Sequence, residues 1–180
     1  MRIVVSEFIT LDGVMEAPHE WSFPYWADEI GKFKLDELVT TDVQLLGRVT
    51  YEEFAKSWPS QTDETGFAER MNSMPKYVVS RKLKKADWNN STIIKGNVAE
   101  EISRLKDQTG SDILVAGSAK LVGLLMENDL VDEYRLLVHP IVLGKGKRLF
   151  RDKQTSPLKL IESKSYDSGV MLLRYEPERK

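Results

Sequence analysis

The amino-acid sequence predicts an α/β fold with a mostly parallel central sheet, flanking helices and an antiparallel edge formed by the C-terminal strands. Up to about residue 127, short apolar segments alternate with amphipathic helical segments, which is the pattern of consecutive β–α units. From residue 133 onward, strand-like segments follow one another without a helix between them. Because neither a linker-like change of composition nor an internal repeat interrupts the chain, residues 1–180 are expected to form a single domain.

The N-terminal region is predicted to form a strand, a turn, an irregular loop and a helix. Residues 3–8 are strand-like and mostly apolar, and Asp12-Gly13 offers the backbone freedom that a turn requires. Residues 19–26 (HEWSFPYW) are rich in aromatic residues and proline, which favours an irregular loop. Residues 27–38 carry apolar side chains at helical spacing and are predicted to form a helix.

The middle of the chain begins with a strand that leads directly towards a helix. Residues 43–46 are a compact apolar run ended by glycine, so we expect a buried strand there. A helix is predicted over residues 50–57, with the Thr50 side chain as its N-cap and Glu53 as the capping-box partner. The other predicted elements of this region are a short helix over residues 66–72 and strands over residues 77–80 and 92–94.

The last part of the chain changes from alternating elements to strands alone. An amphipathic helix is predicted over residues 98–108, followed by an apolar strand over residues 113–118 that contains a glycine at its end. Ser118 is predicted to cap the next helix. The C-terminal strands are predicted over residues 133–143, 158–162 and 170–175.

Two of the predicted strands leave the sheet in the same way, in the segments LLGRVTYEEF and ILVAGSAKLV. In both, an apolar strand ends at glycine and a hydroxyl side chain stands near the start of the next helix. The unpaired amides of a helix N-terminus attract anions, and glycine lets a phosphate approach the backbone. Arg48 adds a planar cation suited to phosphate. Since parallel strands end at one edge of a sheet, the two exits indicate a site for a dinucleotide or another phosphorylated cofactor.

A purely structural interpretation of these exits is equally open on physical grounds. A strand, a glycine and a capping residue are also what an ordinary β–α turn requires, and Arg48 could simply be solvated. Neither exit has the GxGxxG spacing of a Rossmann fold or the GxxxxGK[ST] spacing of a P-loop.

Composition excludes several other classes of function. The net charge of −2 gives no electrostatic reason to expect nucleic acid or an anionic membrane as a partner. The chain has no cysteine, which excludes disulfides, thiolate zinc sites and cysteine nucleophiles, and no metal site is expected. The N-terminus lacks the pattern of a signal peptide, and no window approaches the roughly 20 apolar residues of a membrane span. A cytoplasmic location is the default expectation.

The order of the motifs resembles the dihydrofolate reductase fold. It is most similar to the C-terminal reductase domain of the bifunctional riboflavin-biosynthesis deaminase/reductase, as a free-standing member without the deaminase domain. The matching segments extend from residue 6 to residue 150: SEFITLDGVME, LLGRVTYE, KYVVSRKL, ILVAGSAKL and LVDEYRLLVHPIVLGKGKRLF. The resemblance implies a three-layer dihydrofolate reductase-like fold and an NADPH site.

The resemblance also implies which residues contact NADPH, grouped by the part of the cofactor that they border. The family's usual Gly-Gly appears here as Ala116-Gly117. The implied contacts are Gly47, Arg48 and Thr50 for the phosphates, Ser80 and Arg81 for the adenosine and its 2′-phosphate, Gly117, Ser118, Ala119 and Lys120 for the pyrophosphate, and Ile9 and Leu11 for the nicotinamide.

The substrate side is predicted less directly. In dihydrofolate reductases a carboxylate on the first helix binds the pterin and supports its protonation, and Asp28 is the nearest match, with Glu29 and Asp12 as competitors. An acid in a first helical turn is also favoured by the helix dipole alone, so Asp28 has a purely structural interpretation as well.

Aromatic and basic residues near these motifs have two interpretations each. The cluster Trp21, Phe23, Tyr25 and Trp26 could stack on a flat substrate or could seal the edge of a small core. His139 is predicted to be a structural histidine within a strand. Residues 144–148 (GKGKR) resemble a phosphate clamp in composition, but we expect a turn there.

The resulting functional hypothesis is an NADPH-dependent reductase that acts on a small heterocycle. By resemblance, the candidate substrates are 5-amino-6-(5-phosphoribosylamino)uracil or a pterin, and the chain is expected to be a homodimer. Two alternatives stay open: a non-catalytic nucleotide-binding homodimer of the same fold, and a true dihydrofolate reductase. Reduction would proceed by hydride transfer to an electrophilic carbon, with the protein supplying orientation and electrostatics.

Overall fold

The computed structural model describes residues 1–150 and 155–179. Within these residues, eight strands form one sheet in the order β4-β3-β2-β5-β1-β6-β8-β7. The strands are β1 (Arg2–Thr10), β2 (Thr41–Gly47), β3 (Lys76–Val79), β4 (Ser91–Ile94), β5 (Asp112–Val115), β6 (Glu133–His139), β7 (Leu158–Ser165) and β8 (Met171–Pro177).

Helices connect most of the parallel strands and cover both faces of the sheet. The helices are α1 (Pro18–Trp21), α2 (Asp28–Val39), α3 (Arg48–Ser57), α4 (Phe67–Ser73), α5 (Val98–Lys106) and α6 (Ala119–Glu127), with short 3-10 turns at Phe23–Tyr25 and Trp58–Ser60. None of the helices in the described part of the chain combines the length and apolar character needed to cross a bilayer.

The direction of the strands confirms the predicted mixture of parallel and antiparallel pairing. The strands β4, β3, β2, β5, β1 and β6 pair in parallel, whereas β8 is antiparallel to both β6 and β7. The antiparallel edge arises because β7 and β8 form a hairpin and β8 lies between β6 and β7, so β8 runs opposite to both of its neighbours. Three layers result, with the sheet between two sets of helices.

The core divides according to the alternation of side chains along β1. Val5 belongs to a cluster that includes Ile102 of α5 and Val122 of α6, on one face of the sheet. Val4 belongs to a second cluster with Leu46 and Tyr51, on the face covered by α3 and α4. Successive residues of a strand point to opposite faces, so adjacent valines serve two different cores.

The predicted N-cap at Thr50 is wrong. Helix α3 begins at Arg48, and the N-cap position is Gly47, which has no side chain that could accept a capping hydrogen bond. Strand β2 runs into α3 without a loop, so Thr50 lies inside the first turn and the Thr50–Glu53 capping box does not form. Ser118 does occupy the N-cap position of α6, but its hydroxyl makes no capping hydrogen bond.

Several predicted boundaries also differ from the structure. The residues 19–26 form helical turns rather than an irregular loop. Strand β5 ends at Val115 instead of residue 118, and β6 ends at His139 instead of residue 143. Pro140 follows β6 directly, and a proline has no N–H to continue the ladder of hydrogen bonds.

Candidate cofactor-binding site

The candidate site lies where β1, β2 and β5 end on the same edge of the sheet. Strand β5 is the neighbour of both others. It pairs with β1 only from Arg2 to Val5, whereas β1 continues along β6 as far as Thr10. Beyond Val5, β5 has ended and β1 continues along β6 alone; we call the region between this part of β1 and the segment that follows β5 the β1–β5 crevice. Open α/β sheets bind their ligands in crevices of this kind, at the carboxyl ends of the strands.

The two glycine exits predicted from the sequence are in direct contact. The backbone N–H of Gly47 donates a hydrogen bond to the carbonyl oxygen of Gly117 at 3.0 Å. A Cβ added to Gly47 would lie 2.5 Å from the Oγ of Ser118, and one added to Gly117 would lie 2.7 Å from the Oγ1 of Thr50. Gly117 has a φ of +94°, and the Gly117–Ser118 peptide bond is cis. Side chains are thus excluded from both positions, and four predicted cofactor residues come together.

Two helices begin at this contact. Helix α3 starts at Arg48 directly after Gly47, and α6 starts at Ala119 directly after Ser118. Neither N-cap residue makes a side-chain capping hydrogen bond, so the first-turn amides are available to another acceptor. Both positive dipole ends are close to the two glycines, which suits a diphosphate.

Arg48 is positioned at the start of α3 with its side chain about one-third exposed. Its Nη1 donates a hydrogen bond to the Oε2 of Glu52 at 2.7 Å, one helical turn further on. The guanidinium has five N–H donors, so this single hydrogen bond leaves others for a phosphate. Glu52 therefore orients the cation and also partly neutralises it.

The remaining predicted cofactor residues differ in exposure. Ser80 is buried after β3, and its hydroxyl accepts hydrogen bonds from the backbone N–H of Lys82 at 3.1 Å and of Leu83 at 2.9 Å. That hydroxyl shapes a turn, while Arg81 and Lys120 extend into solvent. Ile9 is buried in β1, whereas the next predicted nicotinamide contact, Leu11, is 68% exposed.

The three acids proposed for the substrate side have different surroundings. Asp28 is exposed in the first turn of α2, a position that the helix dipole also favours. Glu29 pairs with Lys164 at 3.2 Å on the surface. A catalytic role for Asp28 stays a prediction.

The Asp12 carboxylate joins the turn after β1 to the loop after β6, and both of its oxygens accept hydrogen bonds. It accepts hydrogen bonds from the Thr10 hydroxyl at 2.6 Å and from the backbone N–H of Gly144 at 2.8 Å and Leu143 at 3.2 Å. The hydrogen bond from Thr10, followed by that from Gly144, lowers the pKa of Asp12 to about 2. Arg148 also donates to the Asp12 carbonyl oxygen at 2.9 Å, and the predicted turn at residues 144–148 contains a bend over residues 144–146 followed by a bridge from Arg148 to Val14.

Glu7 is an acid that the sequence-based interpretation missed. It is buried in β1, on the face shared with Val5 and Ile9, and its Oε1 makes no hydrogen bond within the described residues. Burial raises the pKa of Glu7 to about 8, although the charge of Lys34 and the backbone N–H of Gly117 act in the opposite direction. The signal in the sequence was an acid at an inward position of an otherwise apolar strand, RIVVSEFIT.

A second group of buried charges lies beside α2. Glu37 accepts hydrogen bonds from Ser6 at 2.9 Å, from Arg135 at 3.2 Å and from Lys34. Arg135 also donates to Glu133 at 2.8 Å, and Arg174 donates to the same Oε1 at 2.7 Å. Burial raises the pKa of Glu133, but the hydrogen bonds from the two arginines outweigh it, and the pKa is lowered. These charges are paired and form a structural network.

The aromatic cluster divides into rings that pack on His139 and rings that are exposed, and stacking on a substrate stays a prediction. Trp21 and Tyr25 pack around His139, with ring centroids 5.1 and 6.0 Å away. Burial lowers the pKa of His139, whose Nδ1 lies 2.9 Å from the Leu137 carbonyl oxygen, consistent with a structural histidine. Phe23 and Trp26 are instead 67% and 48% exposed.

No group of three or more potential metal ligands occurs in the part of the chain that the structure describes.

The family model for the RibD C-terminal domain matches residues 2–172. The chain belongs to the RibD C-terminal domain family. Membership of this family supports a reductase-type oxidoreductase. The curated relative YyaP, an uncharacterized protein of Bacillus subtilis, is 35% identical over 179 residues, which cover 97% of this chain and 94% of YyaP.

Solved structures show that this RibD C-terminal domain has a dihydrofolate reductase-like fold. A putative riboflavin biosynthesis protein from Shewanella sp. PV-4 superposes with a TM-score of 0.79 at 19% identity, over 99% of this chain and 100% of that one. A dihydrofolate reductase from Enterococcus faecalis, complexed with NADP(H), superposes with a TM-score of 0.65 at 14% identity, over 99% and 97% of the two chains. The predicted fold class is confirmed.

Proposed function

We propose that this RibD C-terminal domain is an NADPH-dependent reductase of a small heterocycle. The contact between Gly47 and Gly117 carries the proposal, because it brings two helix N-termini and two side-chain-free backbone segments to one place. A Cβ at either glycine would occupy space beside the hydroxyls of Ser118 and Thr50. A dinucleotide diphosphate fits such a cradle.

The diphosphate would accept hydrogen bonds from the first-turn amides of α3 and α6 and from the Arg48 guanidinium. Arg81, exposed beyond the end of β3, would bind a 2′-phosphate and so favour NADPH over NADH. Ser80 would form the adjoining turn through its own hydrogen bonds. Lys120 adds an exposed cation at the start of α6.

The nicotinamide would lie in the β1–β5 crevice beside Ile9 and Leu11. When bound, NADPH supplies a hydride to an electrophilic carbon of a C=N or C=O group. The chain would hold the two reactants in contact and exclude water. Family membership favours a pyrimidine such as 5-amino-6-(5-phosphoribosylamino)uracil as the substrate, and the similar fold of dihydrofolate reductases makes a pterin the second choice.

The same proposal includes a homodimer that buries the C-terminal edge of the sheet. Leu160 and Ile161 of the edge strand β7 are 49% and 45% exposed, and Met171 of β8 is 41% exposed. Apolar side chains on an exposed edge strand are commonly covered by a partner. Sedimentation of the wild type and of Leu160→Glu tests this, because the variant should be monomeric. A wild type that sediments as a monomer contradicts the homodimer.

The function is tested first by binding and then by turnover. Titration with NADPH and NADH, followed by protein fluorescence and thermal shift, should show tighter binding of NADPH. Oxidation of NADPH, monitored at its near-ultraviolet absorbance, is then measured against pyrimidine intermediates, pterins and dihydrofolate. No response to millimolar NADPH overturns the proposal. Binding without oxidation of any substrate favours the non-catalytic alternative, and turnover of dihydrofolate alone favours a true dihydrofolate reductase.

A further inference from the structure

Glu7 combines burial with an oxygen that has no partner. The residue is 7% exposed, and its Oε1 makes no hydrogen bond within residues 1–150 and 155–179. A buried polar atom without a partner is costly, and folded proteins keep few of them. Glutamine or an apolar residue at this position of β1 would avoid the cost of a buried acid. Such local costs are concentrated at functional sites.

The position of Glu7 places it at the β1–β5 crevice. Strand β1 leaves β5 after Val5, and Glu7 follows two residues later on the same face. Its carboxyl interacts with the backbone N–H of Gly117, the glycine that meets Gly47 in the proposed diphosphate cradle. Ile9, the predicted neighbour of the nicotinamide, is the next residue of β1 on that face.

On these grounds we propose that Glu7 is the catalytic acid of the reductase, an inference that rests on the proposed function. The hydride leaves C4 of NADPH with its electron pair and forms a C–H bond with the substrate carbon, which oxidises the cofactor to NADP⁺. The displaced π electrons of the C=N or C=O group take the proton from the Glu7 carboxyl and form an N–H or O–H bond. Water then returns a proton to the carboxylate.

The surroundings of Glu7 keep this carboxyl protonated at neutral pH. From α2, the charge of Lys34 lowers its pKa and the charge of Glu37 raises it. From β6, the residue opposite Glu7 is the apolar Leu136, and Arg135 beside it is engaged by Glu133 and Glu37. Towards β5, the chain offers the Gly117 N–H. Burial outweighs the stabilising contacts, and the pKa is about 8.

The other acids near the β1–β5 crevice are less suited to donate a proton. Both oxygens of Asp12 accept hydrogen bonds from loop groups, and Glu37 is held by Lys34, Ser6 and Arg135. Asp28 is exposed in the first turn of α2. A general acid is most effective when its pKa is near the working pH, which Glu7 satisfies.

The test compares the wild type with Glu7→Gln, Glu7→Asp and a control, Glu127→Gln, an exposed acid at the end of α6. Each variant is checked for folding by circular dichroism and for NADPH affinity by fluorescence. Single-turnover NADPH oxidation is then measured from pH 5 to pH 10 with whichever substrate the wild type reduces. Glu7→Gln should bind NADPH within about threefold of the wild type and oxidise it about 10²–10⁴-fold more slowly.

The pH profile separates a catalytic role from a structural one. The wild-type rate should fall as pH rises through about 8, because the carboxyl loses the proton that it donates. This fall in rate with rising pH should be absent in Glu7→Gln, should occur at a different pH in Glu7→Asp and should be unchanged in Glu127→Gln. A Glu7→Gln enzyme that keeps the wild-type rate and the same fall in rate overturns the proposal, even though the NADPH-dependent function would stand.

A spectroscopic measurement covers the case in which the wild type reduces none of the substrates. The infrared C=O stretch of a protonated carboxyl should be visible at pH 7 in the wild type and absent in Glu7→Gln. Adding NADP⁺ should shift this band, since the proposal places Glu7 beside the nicotinamide. A wild type that binds NADP⁺ without a shift of the band contradicts the role of Glu7. A wild type without affinity for NADP⁺ overturns both proposals.

Discussion

The backbone N–H of Gly47 and the carbonyl oxygen of Gly117, which are 70 positions apart in the chain, are joined by a hydrogen bond of 3.0 Å. This contact fixes the ends of β2 and β5 relative to each other. Each glycine also lies against a hydroxyl of the other exit, Ser118 for Gly47 and Thr50 for Gly117. The proposed cradle is therefore a single unit rather than two independent loops, and a change in one exit should disturb the other.

Gly47→Ala should damage both stability and cofactor binding. The new Cβ would lie 2.5 Å from the Ser118 Oγ and 3.0 Å from the Ser118 backbone nitrogen, so the α6 exit must move. Overpacking of this kind costs about 1–3 kcal/mol in the free energy of unfolding. We also expect about tenfold weaker NADPH binding, or about 1.4 kcal/mol. Gly96→Ala is the control, because nothing lies within 4 Å of its Cβ position. Denaturant unfolding and NADPH titration measure both effects, and unchanged NADPH affinity contradicts the cradle.

Arg48→Ala should weaken NADPH binding by about 10- to 100-fold, since a charged hydrogen bond contributes about 1.5–3 kcal/mol. Greater weakening for NADPH than for NADH would mean that Arg48 reads the 2′-phosphate, and equal weakening would place it on the diphosphate. Glu52→Gln removes the carboxylate that holds Arg48 at 2.7 Å and should strengthen binding of both. Arg104→Ala is the matched control, because Arg104 also pairs with an acid one helical turn away, Glu100 on α5. Loss of affinity in that control would indicate a general charge effect.

Glu133→Gln should be destabilising. Glu133 is 1% exposed and is hydrogen-bonded to both Arg135 and Arg174. The substitution removes the charge that both arginines share, but Arg135 keeps Glu37 and Arg174 keeps Glu162, so we expect a cost of about 1–3 kcal/mol. Glu162→Gln removes the surface partner of Arg174 and should change the free energy of unfolding by less than about 1 kcal/mol. Equal effects in urea unfolding would argue against the buried network as a source of stability.

Because of Asp12, the free energy of unfolding should fall at acidic pH. Its folded-state pKa of about 2 lies below the unfolded value of about 3.9. The stabilisation is therefore fully present above about pH 4 and is lost as pH falls towards 2. In Asp12→Asn this part of the pH dependence should disappear, while Asp107→Asn, an exposed control, should follow the wild type. Thermal unfolding is measured between pH 2 and pH 7. If the unfolding temperatures of Asp12→Asn and the wild type change in parallel with pH, Asp12 does not contribute to the pH dependence.

The contribution of Glu7 to the free energy of unfolding should change with pH in the opposite direction to that of Asp12, whether or not Glu7 is catalytic. Its folded-state pKa of about 8 lies above the unfolded value of about 4.3, so the folded state binds more protons between these values. The wild type therefore loses stability as pH rises from about 4 to 8. Glu7→Gln should exceed the wild type by about 2–4 kcal/mol at pH 8 and match it near pH 4. Chemical unfolding at the two pH values measures this, and a constant difference would contradict the buried acid.

The order of strands and helices could be predicted from local patterns, as could the two glycine exits. The cap at Thr50 was mistaken because a capping box and a first-turn threonine have the same local sequence, and only the absence of a loop after Gly47 distinguishes them. Glu7 was missed although it stands at an inward position of β1, because the backbone N–H that it approaches belongs to Gly117, 110 positions away in the chain. The ion pair of Arg135 and Glu37 joins residues 98 positions apart, and a single sequence does not specify such a contact.

The central place of β1 in the sheet also has a consequence for synthesis of the chain. Strand β1 leaves the ribosome first, but its two neighbours are β5 and β6, which span residues 112–139. The middle of the sheet must therefore wait until β6 has been translated, and such long-range contacts slow folding. Until then the buried apolar residues of β1 lack their neighbouring strands and are exposed in the nascent chain. A nascent chain that ends before Gly117 lacks one half of the proposed cradle.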